Sequence, residues 1–444
     1  MDTPSFLKRI IRLVIRPDEQ ARAQRMARHM IDLCHALLSE RGEVSGAALA
    51  RETLIAYHSL PEPALPALFD LLSSEFSPDP IELARACQEY CAQPSTDTLI
   101  SLFELAEPPR QELFRRLNTA PGGTTTLVGM RALLLRSLQA HPQWKGIDAD
   151  LEHLFGSWFN RGFLSLQRID WNTPAIILEK LIKYEAVHEI SGWRDLHRRL
   201  EDDRRCFAFF HPALPNEPLI FIEVALTKGI SDAVQPLLNL DSPVTDPQTA
   251  DTAIFYSITN CQRGLRGISF GNLLIKQVAQ ELGREFSKIS TFATLSPVPG
   301  FRTWLAGIPE ELAATAAGRA AAEAFKCLDD PDWFKQKHTA ERVQKHLMPL
   351  CACYLIHAKN KDEPADSVAR FHLGNGARLE RLNWLADTSK RGMQRAAGLM
   401  VNYQYRLDDV ADNHEVYVKE HRVVASTALR KLARECPLSL PDKR

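Results

Sequence analysis

Ala253-Ile-Phe-Tyr-Ser-Ile-Thr-Asn-Cys-Gln-Arg-Gly-Leu-Arg-Gly-Ile-Ser-Phe-Gly-Asn-Leu-Leu274 carries a strand, a glycine loop and the start of a helix in one run. Ala253–Ile258 is rich in aromatic and β-branched residues, which fit a pleated, half-buried surface. Glycines at 264, 267 and 271 let the backbone turn tightly ahead of a helix running roughly from Gly271 to Leu282. The first N–H groups of a helix lack intrahelical partners and sit at the positive end of its dipole, so such a terminus attracts anions. Arg263 and Arg266 add cationic donors. No Gly-Lys-Ser/Thr follows, which excludes a P-loop, and the spacing misses the G-x-G-x-x-G dinucleotide fingerprint. Taken alone, the loop reads equally well as a structural turn or a phosphate cradle.

Outward from this run, Cys206–Phe210 and Leu219–Leu226 read as two further strands, with Asn216-Glu-Pro as the turn of a hairpin. Lys288–Thr294 reads as a fourth, and Asp241–Thr252 as a surface loop. Thr173-Pro174 suggests an N-cap with proline at the first position of a helix toward Tyr184, and Ala313–Phe325 is an alanine-rich helix. Before residue 160 the pattern differs. Leu127, Met130, Leu134 and Leu138, then Leu151, Leu154 and Trp158, follow helical spacing. Pro61-Glu-Pro and Pro78-Asp-Pro punctuate helices, and short connections favour an antiparallel bundle. The expected fold class is α+β, with an all-α helical bundle over residues 1–160 followed by a domain of strands and helices over 161–444.

Composition narrows the function. Fifty-four Lys+Arg against fifty-five Asp+Glu leave a net charge of −1, so a protein built around a basic nucleic-acid face is not expected. No apolar run reaches the ~18–20 residues of a membrane span. Nine cysteines, an odd number without zinc spacing, read as reduced thiols in a cytoplasm-like compartment. The stretch Phe6–Ile15 reads as a first amphipathic helix rather than a signal peptide.

Two later segments hold the side chains able to do chemistry. Leu295-Ser-Pro-Val-Pro-Gly-Phe301 places Ser296 at a strand end ahead of a restricted turn. Phe371-His-Leu-Gly-Asn-Gly-Ala377 places His372 just before glycines. From residue types alone Ser296 is a turn serine and His372 one of fourteen histidines.

Their order along the chain carries more. Arg266–Gly271 resembles the acyl-CoA pyrophosphate loop of GNAT acetyltransferases, with Ser269 in place of the first glycine. Ala253–Ile258, Gln262–Gly267, Leu295–Phe301, Phe371–Ala377 and Asn402-Tyr-Gln-Tyr405, with Gly192-Trp and Arg204-Arg-Cys-Phe upstream, together resemble the malonyl-CoA decarboxylase family. The resemblance covers most of residues 160–410 and, more loosely, the helical half. It implies an oligomerising helical domain and a GNAT-like catalytic domain with a mixed, mostly antiparallel sheet. The implied activity converts malonyl-CoA to acetyl-CoA and CO2 with no metal or organic cofactor, in a cytoplasmic homodimer or homotetramer.

Carried over residue by residue, the family's catalytic serine falls on Ser296, its proton-donating histidine on His372 and an active-site tyrosine on Tyr405. The CoA loop falls on Arg266, Gly267, Ile268, Ser269, Phe270, Gly271 and Asn272. Some relatives place a glutamate at the position of Ser269. The chain ends Pro441-Asp-Lys-Arg rather than in the Ser-Lys-Leu address some relatives carry, so peroxisomal import is not expected. Ser296 would orient the malonyl carboxylate or donate to the developing oxyanion. Two other readings remain open: an acyl-CoA N-acyltransferase, which needs an amine acceptor, and a non-catalytic acyl-CoA-binding protein, which turns nothing over.

Overall fold

The computed structural model describes residues 17–268 and 274–438. The stretch Phe6–Ile15 therefore lies outside the described residues. The chain divides into two compact units: Met1–Leu164 with His211–Pro215 and Gln262–Phe270, and Ser165–Phe210 with Asn216–Cys261 and Gly271–Arg444.

The first unit is helical: α1 (Pro17–Leu38), α2 (Glu40–His58), α3 (Leu65–Glu75), α4 (Pro80–Ala92), α5 (Thr96–Ala106), α6 (Pro109–Asn118), α7 (Gly123–Ser137) and α8 (Lys145–Trp158). The prolines act as expected. Asp79 caps α4 by accepting from the Ile81 and Glu82 N–H groups, and Pro80 occupies the first turn. Leu127, Met130 and Leu134 of α7 and Leu151 and Leu154 of α8 are buried. Two arginines are buried with them. Arg110 pairs with Asp150, which also accepts from Gln111 Nε2 at 2.7 Å. Arg131 donates to Asp148 at 2.7 Å and to the Gly264 and Arg266 carbonyls at 2.9 and 2.8 Å. The glycine loop is thus tied to α7 by one guanidinium.

The second unit is built on an eight-stranded sheet of order β1-β2-β3-β4-β5-β10-β6, with β9 on β10. Its strands are β1 (Ser165–Ile169), β2 (Arg204–Phe210), β3 (Ile220–Thr227), β4 (Thr252–Asn260), β5 (Thr291–Thr294), β6 (Ser296–Pro297), β9 (Arg378–Asn383) and β10 (Met400–Gln404). A separate ribbon pairs β7 (Lys359–Asn360) with β8 (Glu363–Pro364). Every pairing is antiparallel except β4 with β5. This is the mixed, mostly antiparallel sheet of the expected α+β class. A parallel pair needs a crossover, and α11 (Leu274–Glu285) supplies it, burying Leu274, Ile275, Val278, Ala279 and Leu282 at helical spacing. Earlier in the unit, α9 (Ala175–Tyr184) and α10 (Trp193–Arg199) cover one face of β2 and β3 through Ile177, Leu178, Leu181 and Leu196.

Some local readings shift. β5 begins at Thr291 rather than Lys288, because Ser287 and Lys288 form a turn. Thr173 is not the cap of α9: Pro174 occupies that position, and the Thr173 hydroxyl accepts from the Asp170 N–H. The alanine-rich stretch is two helices, Pro309–Ala313 and Ala316–Phe325, broken where Thr315 caps the second. The strands β1, β9 and β10 carry too few apolar alternations to announce themselves.

Gly264 is a glycine for packing. A Cβ there would meet the Val128 carbonyl oxygen at 1.9 Å. Gly264→Ala should destabilise the first unit by ~1–3 kcal/mol in urea titration, as overpacking does. Gly129→Ala, on an exposed turn of α7 with nothing within 4 Å of the added carbon, should instead raise stability by up to ~1 kcal/mol.

Candidate active site

Ser296, His372 and Tyr405 come together within the second unit. Ser296 opens β6, and β10 lies between β5 and β6 with Val401 opposite Ser296 and Gln404 opposite Ala293. The next residue on β10's exit is Tyr405, whose N–H donates to the Phe292 carbonyl at 2.8 Å. His372 sits in the last turn of α14, and the preceding elements in that region are α12 (Phe301–Ala306), α13 (Lys337–His357) and α14 itself (Ser367–Gly374).

The glycines in these motifs have steric causes. A Cβ on Gly300 would lie 2.4 Å from Tyr354 Oη of α13, and one on Gly376, at φ +79°, would lie 2.1 Å from the Val410 carbonyl. Asp366 caps α14 by accepting from the Val368 and Ala369 N–H groups at 2.9 and 3.0 Å, and also accepts from the Gly300 N–H at 3.4 Å. One buried carboxylate therefore touches both the turn after Ser296 and the helix that carries His372.

The side chains form a chain of hydrogen bonds. Tyr405 Oη lies 2.8 Å from His372 Nδ1, and His372 Nε2 lies 3.0 Å from Ser296 Oγ. The Ser296 hydroxyl donates to Thr294 Oγ1 at 2.8 Å. Tyr403 stacks on the imidazole at 4.5 Å and 25°. All are buried, His372 to 3% exposure and Ser296 to 6%. Burial pushes the His372 pKa down to about 3 and the Tyr405 phenol well above its ordinary range. The resting site therefore holds a neutral imidazole with both nitrogens engaged, beside a neutral phenol.

Sequence reasoning did not single out Thr294, Tyr403 or Asp366. The first two alternate with Ser296 and Tyr405 along their strands, the one signal that could have found them. Trp384 and Asp387, near His372 in sequence, do other work: Trp384 packs on Trp333, and Asp387 accepts from Gln235 Nε2 and the Ser389 N–H.

Of the loop residues, Arg266 and Gly267 are exposed and Ile268 is buried, with Gly267 at φ +87°. Ser269, Phe270, Gly271 and Asn272 lie outside the described residues. The Arg131 bonds hold the Gly264 and Arg266 carbonyls, which fixes this turn from beneath.

Known proteins resemble this chain over most of its length. Residues 162–441 match the family model of the malonyl-CoA decarboxylase C-terminal domain, and 76–159 that of its N-terminal domain. The chain belongs to the malonyl-CoA decarboxylase family. This is a family of carboxy-lyases. The mitochondrial malonyl-CoA decarboxylase of Anser anser anser is 38% identical over 343 residues, covering 72% of this chain and 68% of the relative. That of Mus musculus is 36% identical over 351 residues, covering 73% and 71%. The crystal structure of malonyl-CoA decarboxylase from Rhodopseudomonas palustris matches with a TM-score of 0.87 at 50% identity, covering 91% of this chain and 99% of that one. The Agrobacterium vitis enzyme gives a TM-score of 0.85 at 48% identity over 91% and 99%.

A buried neutral histidine makes stability depend on pH. Its folded pKa, about 3, lies below the ordinary value of 6.5, so between those values the unfolded chain binds more protons. The contribution is complete above pH 6.5 and falls as pH drops toward 3, reaching a loss of about 2 kcal/mol at pH 5. His188, pushed down to about 4 by burial, acts in the same direction. Urea titrations at pH 7 and pH 5 should show this loss, and His372→Gln should flatten it while lowering stability at pH 7.

Proposed function

We propose that this chain decarboxylates malonyl-CoA to acetyl-CoA and CO2 without a metal or organic cofactor. The observation that carries the reading is the buried, uncharged chain Ser296–His372–Tyr405 in a member of this family. Breaking the bond to the carboxylate leaves its electron pair on the thioester as an enolate. The site must then stabilise an oxygen charge and deliver one proton to carbon.

His372 meets the second requirement by coupling its protonation to the substrate. Among the described residues no carboxylate lowers the cost of its charge, and desolvation holds it neutral. A malonyl carboxylate beside it supplies the missing counter-charge, which raises the histidine pKa. His372 takes up a proton as the substrate binds, CO2 departs as a neutral molecule while the electron pair and its charge pass to the enolate, and the imidazolium protonates the enolate carbon. The balance is one proton consumed, one acetyl-CoA and one CO2 released, with His372 neutral again. Ser296 turns its hydroxyl from Thr294 toward the enolate oxygen and stabilises the charge there. Burial excludes water from the enolate until protonation is complete. The loop at Arg266–Ile268, with Ser269–Asn272 following, binds the CoA pyrophosphate through the exposed Arg266 and backbone N–H groups.

His372→Ala and Ser296→Ala should each lower kcat, by ~10²–10⁴ for the general acid and ~10²–10³ for the oxyanion donor. The double variant should lose less than the product of the two. Arg266→Ala should act mainly on KM. The assay needs only malonyl-CoA in chelator-treated buffer, following CO2 and acetyl-CoA. Turnover that requires an amine acceptor, or near-normal kcat in folded His372→Ala, would overturn the reading.

Self-association is part of the same proposal. Helix α5 has no buried residue although it carries Leu99, Ile100, Leu102, Phe103 and Leu105. Phe103 is 68% exposed, and Ile81 on the adjoining α4 is 80% exposed. Apolar surface left this open favours a partner, and a second copy is the partner this family resemblance implies. Sedimentation should give a homodimer or homotetramer, and Phe103→Asp with Ile81→Asp should dissociate it. A monomeric wild-type protein would reject the assignment.

A further inference from the structure

We infer that Thr294 is a positioning residue for this reaction, setting which nitrogen of His372 carries the resting proton by holding the hydroxyl of Ser296. The inference rests on the decarboxylase reading above. It follows from counting donors and acceptors along a buried chain in which each group has few choices.

Thr294 is the last residue of β5, fully buried, at the point where β10 enters between β5 and β6. The interruption of the ladder there leaves the Tyr403 N–H facing the threonine side chain, and it donates to Thr294 Oγ1 at 3.2 Å. The Thr294 carbonyl accepts from Asn402 Nδ2 at 2.7 Å. Asn402 is itself fully buried, and its Oδ1 accepts from Asn383 Nδ2 at 2.8 Å. Thr294 Oγ1 is therefore held in place by main-chain and side-chain bonds from two strands. It is an anchored acceptor.

The Ser296 hydroxyl donates its one proton to that acceptor. The contact between Ser296 Oγ and His372 Nε2 at 3.0 Å must then run the other way, with Nε2–H donating to Oγ. A neutral imidazole carries one N–H, so Nδ1 is the acceptor, and the partner 2.8 Å from it is the Tyr405 hydroxyl, which donates. Every proton from Ser296 to Tyr405 is assigned once Thr294 is in place. The proton stands on the nitrogen that shares Ser296 with the incoming malonyl group, and Nδ1, whose lone pair accepts from Tyr405, is the atom that takes up the second.

Removing the Thr294 hydroxyl reverses the chain. The Ser296 proton turns to the nearest remaining acceptor, Nε2, and the imidazole proton moves to Nδ1, facing Tyr405 and away from the substrate. The second proton must then enter at Nε2, where the Ser296 hydroxyl, no longer held by Thr294, occupies the lone pair and has to turn away first. The cost falls on kcat, because no CoA contact is touched. Thr294→Ser keeps the hydroxyl and the wiring.

The test measures malonyl-CoA turnover by the full-length enzyme carrying Thr294→Val or Thr294→Ser, each with and without Ser296→Ala. Thr294→Val should lower kcat by about tenfold or more, as expected for losing one buried hydrogen bond at the transition state, with KM little changed. Thr294→Ser should recover most of that loss. In the Ser296→Ala background Thr294→Val should cost little further, since a residue acting through Ser296 has nothing left to act on. Equal losses in both backgrounds would make Thr294 merely structural and overturn the inference. An unaffected kcat in Thr294→Val would do so as well. A second measurement needs no variant at Thr294: nitrogen-15 NMR of histidine-labelled enzyme, with His372 assigned by comparison with His372→Gln. An Nε2–H tautomer supports the assignment, and an Nδ1–H tautomer overturns it. Absence of turnover in the wild-type protein would instead sink the decarboxylase reading, and the tautomer, compared between wild type and Thr294→Val, would still decide whether Thr294 sets the proton.

Discussion

A histidine buried without a counter-ion is the constraint on which the second unit's architecture turns. An isolated charge in such surroundings is expensive, so His372 rests neutral, and each of its nitrogens needs a partner aimed at it. Meeting that demand takes a hydroxyl from β6, a phenol from the residue after β10, and an aromatic ring from β10 stacked on the imidazole. The same neutrality is what makes the group responsive. Among the described residues no carboxylate contacts the imidazole, so an anion brought beside it would raise its pKa.

The sheet delivers those partners through one irregularity. β10 runs between β5 and β6, so two segments adjacent in sequence, Thr291–Thr294 and Ser296–Pro297, pair with different parts of the same strand. The break falls at Leu295, whose N–H still reaches the Phe255 carbonyl of β4 at 2.9 Å. It sets Thr294 and Ser296 side by side, with the Tyr403 N–H turned onto the threonine hydroxyl. The prolines at 297 and 299 suit a strand that stops here, because a longer β6 would require N–H donors they lack. Asp366 then joins the turn at Gly300 to α14, so the two halves of the site share a fixed reference.

The glycine loop illustrates how one motif divides into different physical jobs. Gly264 is small because Val128 of α7 leaves no room, and Gly267 because its φ is positive. Arg131, buried at 2% exposure, holds the Gly264 and Arg266 carbonyls while the arginines at 263 and 266 stay exposed to solvent. An anchoring cation on one side and free cations on the other are consistent with a turn built to present donors to an anion.

Much of this was legible in the residues themselves. Helical spacing in Leu127–Leu138 and Leu151–Trp158, and the aromatic and β-branched runs at 206–210, 219–226 and 253–258, are local patterns set by burial on one face, and burial repeats with the period of the element. The pairing of Ser296 with His372 could also be named, because several motifs in a fixed order point to one family. Thr294 was not legible. Threonine in a strand is ordinary, and its significance comes from Tyr403 and Ser296, partners more than a hundred residues apart in sequence. The tertiary structure alone decided the neutral state of His372 and the partners of its two nitrogens. Those depend on desolvation and on which hydroxyl lies within 3 Å, properties of a three-dimensional neighbourhood that no single stretch of sequence contains.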